Sequence, residues 1–573
     1  MVEVECLGLI SAATGSSFVL SSSELPRDLA MSLKITTGMG QPVPPAPRHS
    51  VTMHMGDWAA AECSADSLAT ESAQLKNGYP RLRPHNDIVQ LAAEALKLVD
   101  DREADCFLFS SLESARECVD FVTCRGRDDR AVTSFCTVDI SIRVFVAKNT
   151  FFAVLFPLDK KPVMAEFWKL AGVGISSRFA EANLAHLQCL RAIPILSCPD
   201  SRPGFDGPSL DTLRESIIAC LKRAPLHNDA PRPSATDVYL YPSGMASVYR
   251  THMYMFEHYQ GTTALFGVTF LHTLMMFDAF STTSKLFGLG TEADIDNLQV
   301  FLQEEKSSGR TMQAIWVEFP TNPNLMTPNI ARLKELADEY NVVLVIDDTI
   351  GGWCNIDTSA TADVSITSLT KSFNGYADAI AGCAIVNPAS RKYRDLKRLF
   401  DRKYVPELYE KDAEAIERNS RDYLRRCAAM NNNAAALVQY LHLCAADPNS
   451  AVKRVYYPYV NPSGVHYKRF MRPETSDFTP GFGCLFSVEL VDVSAAQTFY
   501  DNLNVHKSVH FAAPFTLALP YTFCGFKKRL DWAAGLGLRP TQIRIAPGLE
   551  DTDLLLEDLK VAVAAANECK QAV

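Results

Sequence analysis

The sequence predicts an α/β protein that is built on a mostly parallel β-sheet. After residue 237, short apolar runs alternate with helical segments, which is the pattern of strands joined by crossover helices. The chain has 573 residues, of which 47% are hydrophobic and 21% are charged, as is ordinary for a globular protein. A chain of this size can bury enough apolar surface to fold without disulfides or structural metals.

The region before this alternation is less regular. Residues 38–48 are rich in Pro and Gly and predict an extended arm, and residues 85–120 have helical periodicity. Residues 151–158 predict a buried strand, and the polar, Pro-rich residues 223–237 predict a linker. We therefore expect an N-terminal arm and insertion region over 1–233, a large domain over 234–418 and a small C-terminal domain over 419–573.

The order of elements within the two later regions follows from their periodicity. Helices are predicted over 244–259, 294–306 and 329–340, and strands over 262–270, 313–319, 341–348 and 379–386. A long charged helical region covers 390–442, and the C-terminal part has strands over 483–490 and 541–547 before a final helix. The C-terminal region is therefore expected to be α+β.

Composition also excludes several classes of partner. The formal net charge of −10 argues against nucleic acid or an anionic membrane as a partner. No apolar run approaches the ~18 residues of a membrane span, and the acidic N-terminus is not typical of a signal peptide. The sixteen Cys form no CxxC pair and no zinc spacing with His, so we expect reduced thiols, a cytoplasmic location and no metal.

Polar residues near the ends of predicted strands form one set of candidate site residues. Ser243 and Gly244 begin a helix, and a helix N-terminus can bind phosphate, although a plain Ser-Gly cap would look the same. Asp347 ends a buried strand, and Lys371 follows 24 residues later beside Ser368 and Thr370. Ligands in open α/β sheets bind at such strand ends. A phosphate cradle, an amine that can trap an aldehyde and an acid for a ring nitrogen are the requirements of pyridoxal phosphate.

Five motifs carry a resemblance to a known family. "YPSGMAS", "VEFPTNPN", "VLVIDDT", "SITSLTKSFNGYADAIAGCAIVNP" and "IRIAPGLED" occur in the order found in the Cys/Met-metabolism group of pyridoxal-phosphate enzymes, over residues 236–573. The N-terminal third resembles the fungal cystathionine γ-synthases through "PPAPRHSV", "NGYPRLRPH" and "FFAVLFPLDKKPVMAEFWKLAGVGISSRFAE". The resemblance implies the fold-type I, aspartate-aminotransferase-like architecture, with the cofactor in the large domain.

The resemblance also implies a role for each site residue. Lys371 would be the Schiff-base Lys and proton carrier, Asp347 the partner of the ring nitrogen, and Arg544 the clamp for the substrate α-carboxylate. Asn322 would lie near the cofactor ring oxygen and the substrate. The phosphate cradle would comprise Ser243, Gly244, Met245, Ser368 and Thr370. Tyr79, also expected to be catalytic, and Arg81 would reach the phosphate of a neighbouring subunit, which implies a homodimer or homotetramer with shared active sites. Phe266 is the expected stacking aromatic, with Phe270 as the alternative.

The implied reaction is a γ-replacement on an O-acyl-L-homoserine, O-acetyl in fungi, through a vinylglycine-type intermediate. The acceptor is left open. Where the family has a Ser-containing turn, this chain has His510 between Val509 and Phe511, so His510 is a candidate substrate-binding residue or base, or simply a packed loop residue. Cysteine or another thiol is one acceptor, and a carbon nucleophile such as a β-keto acid, in secondary metabolism, is the alternative. A γ- or β-lyase and a catalytically silent regulatory homologue are further alternatives.

Overall fold

Three β-sheets organise the part of the chain that the computed structural model describes, namely residues 35–67, 78–99, 103–124, 139–197, 205–281 and 283–571. The residues from Thr37 onward form one unit by their contacts. The division predicted after residues 233 and 418 stays a prediction.

The first sheet belongs to the N-terminal region and has four antiparallel strands in the order β1-β3-β2-β4. Its elements are α1 (Trp58–Ser67), α2 (Asn86–Leu96), β1 (Ala104–Phe109), α3 (Leu112–Thr123), β2 (Ser141–Val146), β3 (Thr150–Pro157), α4 (Lys161–Ala171), α5 (Ser177–Leu184), β4 (Arg191–Ile193) and α6 (Pro208–Lys222). The buried strand predicted over 151–158 is confirmed as β3. The helical prediction over 85–120 is wrong in its middle, because the apolar run that ends at Phe109 pairs with β3 as a strand.

The second sheet confirms the predicted α/β class. Its elements are β5 (Val238–Tyr241), α7 (Gly244–Tyr259), β6 (Thr262–Phe266), α8 (Leu271–Phe280), β7 (Ser284–Phe287), α9 (Glu292–Ser307), β8 (Met312–Glu318), α10 (Ile330–Glu339), β9 (Val343–Asp347), β10 (Val364–Thr367) and β11 (Gly382–Val386). The strand order is β5-β11-β10-β9-β8-β6-β7, and β11 runs antiparallel to both of its neighbours. The carboxyl ends of β8, β9 and β10 therefore meet at one edge, where ligands of such sheets bind.

The C-terminal part is α+β, as predicted. It comprises α11 (Tyr393–Lys403), α12 (Glu410–Ser420), α13 (Tyr423–Ala446), β12 (Val452–Tyr456), α14 (Gly464–Phe470), β13 (Phe486–Leu490), α15 (Val493–Asn502), β14 (His506–Lys507), β15 (Leu517–Leu519), α16 (Tyr521–Phe526), α17 (Leu530–Gly535), β16 (Gln542–Ala546) and α18 (Thr552–Gln571). The five strands have the order β12-β13-β16-β15-β14. None of the helices in the described ranges is both long enough and apolar enough to cross a membrane.

One hydrophobic core joins the N-terminal sheet to the large sheet. Phe107 and Trp168 of the N-terminal region belong to the same buried cluster as Tyr249 on α7 and Trp316 on β8. The opposite face of the large sheet packs against α9 and α10 through a separate cluster. The N-terminal region therefore covers the face of the sheet that carries α7 and α8.

Candidate active site

A cavity of about 430 Å³ lies at the carboxyl ends of β8, β9 and β10. The N-terminal region, the large sheet and the C-terminal part all contribute to its lining. Of the residues predicted from the sequence, those that line it are Tyr79, Arg81, Gly244, Met245, Phe270, Asn322, Asp347, Ser368, Lys371 and Arg544. The structure thus brings together residues that are up to 465 positions apart, from Tyr79 to Arg544 (544 − 79).

Lys371 is the central amine of this cavity. It follows β10, and its Nζ lies at hydrogen-bond distance, 3.0 Å, from Nδ1 of His510. Nζ also lies over the rings of Phe511 and Tyr79, at 4.7 and 5.1 Å from their centroids. Burial lowers the pKa of Lys371 well below its usual range, and the charges of Arg544 and Arg81 lower it further. Burial therefore favours the neutral amine, which is the form that attacks an aldehyde.

The turn after Lys371 is held by a buried arginine. Arg426 donates from Nη1 to the carbonyl of Ser372 at 2.9 Å and from Nη2 to that of Phe373 at 3.1 Å. The turn closes with the N–H of Gly375 donating to the Lys371 carbonyl at 2.7 Å. Gly375 has φ +67°, and a Cβ there would collide with the Arg426 guanidinium. The backbone of Lys371 is thus fixed by packing of the protein itself.

Two carboxyl groups end neighbouring strands at the cavity. Glu318 on β8 and Asp347 on β9 are partners in the parallel register, and both line the cavity. Burial raises the pKa of both, and the charge of Asp347 adds to the effect on Glu318. Glu318 accepts from the N–H of Phe270 at 2.6 Å, whereas Asp347 accepts from the N–H of Thr349 at 3.0 Å. Glu318 is a site residue to which sequence reasoning gave no role.

Fewer of the residues predicted for the phosphate cradle line the cavity than expected. Gly244 begins α7 so close to Ser368 that an added Cβ would lie 2.7 Å from the Ser368 hydroxyl, and both residues line the cavity with Met245. Ser243 instead caps α7: its hydroxyl accepts from the N–H of Ala246 at 3.0 Å and donates to the carbonyl of Gly172 at 2.8 Å. The Ser243 hydroxyl is thus hydrogen-bonded within the protein, and Ser243 does not line the cavity.

The Thr370 hydroxyl also forms its hydrogen bonds within the protein. Its hydroxyl donates to the carbonyl of Ala381 at 3.1 Å and accepts from the N–H of the same residue at 3.0 Å. The side chain is fully buried and is absent from the cavity lining. Of the residues predicted for the phosphate cradle, those that line the cavity are therefore Gly244 and Met245, at the start of α7, and Ser368.

Tyr79 and Arg81 lie in the cavity of their own chain, although the resemblance placed them at a neighbouring subunit. Arg81 is 5% exposed, and its Nη1 donates to the Lys169 carbonyl at 2.7 Å. Its Nη2 lies 3.3 Å from Nδ1 of His272. Burial raises the pKa of Tyr79, so its hydroxyl stays protonated. Among the described residues, no carboxylate forms an ion pair with Arg81.

Arg544 lies on the other side of Lys371, within β16. Its Nη1 donates to Oδ1 of Asn322 at 3.3 Å and its Nη2 donates to the Val509 carbonyl at 2.8 Å. The guanidinium also packs over the Tyr521 ring, 4.8 Å from its centroid. Burial lowers the pKa of Arg544 to about 10, which still leaves it charged at neutral pH. A buried cation without a carboxylate partner suits the α-carboxylate of an amino acid.

Two of the residues predicted for the site do not line the cavity. Phe266 is fully buried in the cluster on the α9 and α10 face, because its neighbour Leu265 points to the cavity side of the sheet. Phe270, the alternative, lines the cavity. His510 is 1% exposed and absent from the lining; it lies behind Lys371, and its neighbours Val509 and Phe511 face the cavity instead.

Other polar residues of the lining were missed by sequence reasoning, namely Lys169, His272, Thr349, Tyr521 and Lys528. Thr349 ends the motif "VLVIDDT" and Lys169 lies in the stretch that resembles the fungal cystathionine γ-synthases, whereas the others lie outside these motifs. Only the fold places all five at the cavity. Outside the lining, ligand atoms of His49, His85 and Asp87 lie within 4.8 Å of one another. These side chains already have protein partners: His49 contacts Ser177 and Glu181, and Arg48 pairs with Asp87.

The cavity fits pyridoxal phosphate in its charges. Lys371 supplies a partly buried amine whose pKa is lowered by burial, and Asp347 supplies a partly buried carboxyl group that forms no ion pair with any described residue. Arg81 is a buried cation near the N-terminal amides of α7, which lack carbonyl partners within the helix. A protonated ring nitrogen would neutralise Asp347, and a phosphate would neutralise Arg81.

Comparison with known proteins agrees with this chemistry. Residues 233–564 match the family model of Cys/Met metabolism PLP-dependent enzymes, and residues 87–176 match that of the fungal trans-sulfuration enzyme N-terminal domain. The chain is 28% identical to a cystathionine gamma-synthase-like enzyme of Amanita muscaria, over 94% of this chain and 98% of that protein. It is 30% identical to an alanine racemase of Aspergillus violaceofuscus, over 92% of this chain and 97% of that one.

A solved structure shows the same fold. The cystathionine gamma-lyase of Lactobacillus plantarum, complexed with L-serine, superposes with a TM-score of 0.52 at 21% identity, over 66% of this chain and 91% of that chain. The predicted fold-type I architecture and the predicted cofactor are thereby confirmed. This chain belongs to the Cys/Met metabolism family of pyridoxal-phosphate-dependent enzymes, in the branch with the fungal trans-sulfuration N-terminal domain.

Proposed function

We propose that this enzyme catalyses γ-replacement on an O-acyl-L-homoserine, with O-acetyl-L-homoserine as the substrate. The bond from Cγ to the acyloxy oxygen breaks, a nucleophile bonds to Cγ, and the carboxylic acid leaves. The observation that carries the proposal is that one cavity holds Lys371, whose pKa burial lowers, together with Asp347 and Arg544, which form no ion pair with any described residue. Bound pyridoxal phosphate supplies an electron sink that makes the Cα proton acidic.

Individual side chains would have separate roles in this reaction. Arg544 binds the α-carboxylate, with Asn322 holding the guanidinium in place. Lys371 removes the Cα proton and serves as the base for the Cβ proton, whose loss expels the γ-substituent. His510 stays neutral, because burial lowers its pKa well below the usual range and the charge of Arg544 lowers it further. It can therefore orient the Lys371 amine through their hydrogen bond.

The lining favours a nucleophile without an ammonium group. Many of the lining side chains are apolar, including Met55, Leu271, Val509, Phe511 and Leu519. Among the described lining residues the carboxyl groups are those of Glu318 and Asp347, at the ends of neighbouring strands. An acceptor ammonium would therefore be desolvated without a partner. Exposed Lys528 also lines the cavity and suits the carboxylate of a thiol acid or a β-keto acid.

Cysteine as the acceptor is the second candidate, supported by the name of the Amanita muscaria relative. Racemisation is an alternative reaction, since one relative is named an alanine racemase. It needs the same removal of the Cα proton but no leaving group. The loss of the γ-substituent is therefore the step that a test must detect.

The test is to incubate the holoenzyme with O-acetyl-L-homoserine and three competing nucleophiles, L-cysteine, 3-mercaptopropionate and acetoacetate. Acetate release and product masses are measured, with Lys371→Ala as the inactive control. We expect acetate release and products from the two nucleophiles that lack an amine. Cystathionine as the sole product would overturn the acceptor proposal. Alanine racemisation without acetate release would overturn γ-replacement itself.

A further inference from the structure

We propose that Glu318 and Tyr521 are positioning residues of the cofactor site, because together they fix the start of helix α8 and, through it, the ring of Phe270. Phe270 lines the cavity and is the remaining candidate for the stacking aromatic, since Phe266 lies in the core. The two positioning residues come from different parts of the chain, Glu318 from the large sheet and Tyr521 from the C-terminal part. Neither side chain has a role in the proposed γ-replacement.

Helix α8 begins without a side-chain cap of its own. Phe270 occupies the N-cap position, and its side chain makes no capping hydrogen bond. The first N–H groups of a helix have no acceptor within the helix, so a helix that starts in the protein interior needs acceptors from elsewhere. Glu318 accepts from the N–H of Phe270 at 2.6 Å, and the Tyr521 hydroxyl accepts from the N–H of Leu271 at 3.0 Å. The first two donors of α8 are therefore held by side chains of the cavity lining.

Both acceptors are themselves held in place. Glu318 is 4% exposed and ends β8 in register with Asp347 on β9. Tyr521 is 6% exposed, and its ring packs against the Arg544 guanidinium, whose central carbon lies 4.8 Å from the ring centroid. The position of Phe270 is thus tied to the sheet that carries Asp347 and to the cation proposed to bind the substrate carboxylate.

The Phe270 ring depends on its backbone for its position. A Phe side chain has no hydroxyl, so the ring cannot be fixed by a hydrogen bond of its own. Its ring neighbours include the Arg81 guanidinium carbon, 5.6 Å from the ring centroid, and the His272 ring, at 5.1 Å between centroids. Stacking depends on the separation and offset of the two rings, so a displaced helix start would weaken it. The two hydrogen bonds at Phe270 and Leu271 therefore set where the ring lies.

The test compares variants that lose one acceptor with a variant that loses the ring itself. Each apo-protein is titrated with pyridoxal phosphate by absorbance, and the visible circular dichroism of the bound cofactor is recorded. We expect Phe270→Leu to weaken binding about 2- to 10-fold and to change the dichroism, because stacking is lost. Glu318→Leu and Tyr521→Phe should each weaken binding by a factor in the same range and change the dichroism in the same direction, because the ring is displaced.

A double-mutant cycle decides whether the two residues act through Phe270. In the Phe270→Leu background, Glu318→Leu and Tyr521→Phe should change the affinity for pyridoxal phosphate by less than about twofold, because the ring that they position is already absent. Losses that multiply instead would show that the two residues affect the cofactor by another route and would overturn the proposal. Unchanged affinity and dichroism in both single variants would overturn it as well.

Two controls separate positioning from a general loss of stability. Glu318→Gln keeps an acceptor for the N–H of Phe270 and should keep the affinity and dichroism of the wild type. Tyr456→Phe removes another buried hydroxyl of the C-terminal sheet, one that donates to Glu489, and should leave both readings unchanged. If Glu318→Gln behaved like Glu318→Leu, the hydrogen bond would not be the cause of the loss, and the role of Glu318 would be overturned.

Tyr521→Phe removes a single oxygen atom and keeps the ring against Arg544, so it decides the proposal if Glu318→Leu does not fold. No catalytic turnover is measured in any of these experiments. The result is therefore independent of the proposed γ-replacement.

Discussion

At the scale of residues, Arg544 is the side chain proposed to bind the substrate carboxylate. Its guanidinium has no carboxylate partner among the described residues. It is held in place by the hydrogen bonds that it donates to Asn322 and to the Val509 carbonyl. Replacement by Lys keeps the charge but loses the planar pair of donors. We expect Arg544→Lys to weaken binding of an amino-acid substrate about 10- to 100-fold, measured by spectral titration of the holoenzyme.

The matched control for this variant is Arg454→Lys, an exposed Arg on β12 of the same sheet. It should leave substrate affinity unchanged, and Arg544→Lys should keep the absorbance of the bound cofactor. A loss of cofactor absorbance in Arg544→Lys would mean that the side chain supports the fold of the site rather than the substrate.

Lys371 gives a prediction about pH. Burial and then the charges of Arg544 and Arg81 lower its pKa, and an amine attacks an aldehyde only when it is unprotonated. Arg544→Met removes one positive charge, so the pKa of Lys371 should rise. The midpoint of the pH dependence of cofactor capture by the apo-protein should therefore move to higher pH, as stopped-flow absorbance would show. A midpoint that stays in place or moves down would contradict this electrostatic account, with Arg454→Met as the control.

Three charged groups of the site could be predicted from the sequence, whereas Glu318, Lys169 and the packing around them could not. Lys371, Asp347 and Arg544 lie within motifs, and all three line the cavity. The choice between Phe266 and Phe270 depends on which face of β6 each ring occupies, and the predicted strand over 262–270 could not show where β6 ends. Lys169 could not be found at all, because only the fold brings α4 to the site.

At the scale of elements, the turn after Lys371 should be sensitive to an added methyl group. Gly375 and Gly309 have the same φ of +67°, but a Cβ at Gly375 would meet Arg426 whereas one at Gly309 would meet nothing within 4 Å. Gly309→Ala should cost about 1–2 kcal/mol for the left-handed conformation alone. Gly375→Ala should lower the free energy of unfolding by about 2 kcal/mol more, from overpacking against Arg426.

Urea denaturation measures both variants, and titration with pyridoxal phosphate reports the state of the site. We expect Gly375→Ala to weaken cofactor binding, because the displaced turn moves Lys371, and Gly309→Ala to leave it unchanged. Equal losses of stability in the two variants would contradict this prediction, because the contact with Arg426 would then add nothing to the loss in Gly375→Ala.

Element boundaries were predictable where a local signal marks them. α7 covers the predicted 244–259 because Ser243 caps its first turn and Gln260, in a left-handed conformation, ends it. β6 stops at Phe266, four residues early, because Gly267 has φ +77° and cannot continue the strand. β1 was hidden in a helical pattern because strand pairing with β3 overrides local periodicity.

At the scale of the whole molecule, a buried ion cluster joins the N-terminal region to the large sheet. Arg250 on α7 is fully buried and pairs with Glu407 at 3.0 Å and with Glu117 on α3 at 2.6 Å. Ser111 and Ser114, at the start of α3, donate to the same Glu407 carboxylate. The cluster and the shared hydrophobic core both oppose separate unfolding of the two regions.

Removing the cation of this cluster should therefore destabilise both regions together. Arg250→Met leaves the buried Glu407 and the partly buried Glu117 without their cationic partner, so we expect a loss of about 3–5 kcal/mol in the free energy of unfolding. Hydrogen exchange with mass spectrometry should show β3 and β9 losing protection to the same extent. Arg332→Met, which breaks a more exposed pair with Glu292 and Asp296, should cost less than about 1 kcal/mol. If β3 lost protection while β9 kept it, the N-terminal region would be an independently unfolding unit, which would contradict the joint unfolding of the two regions.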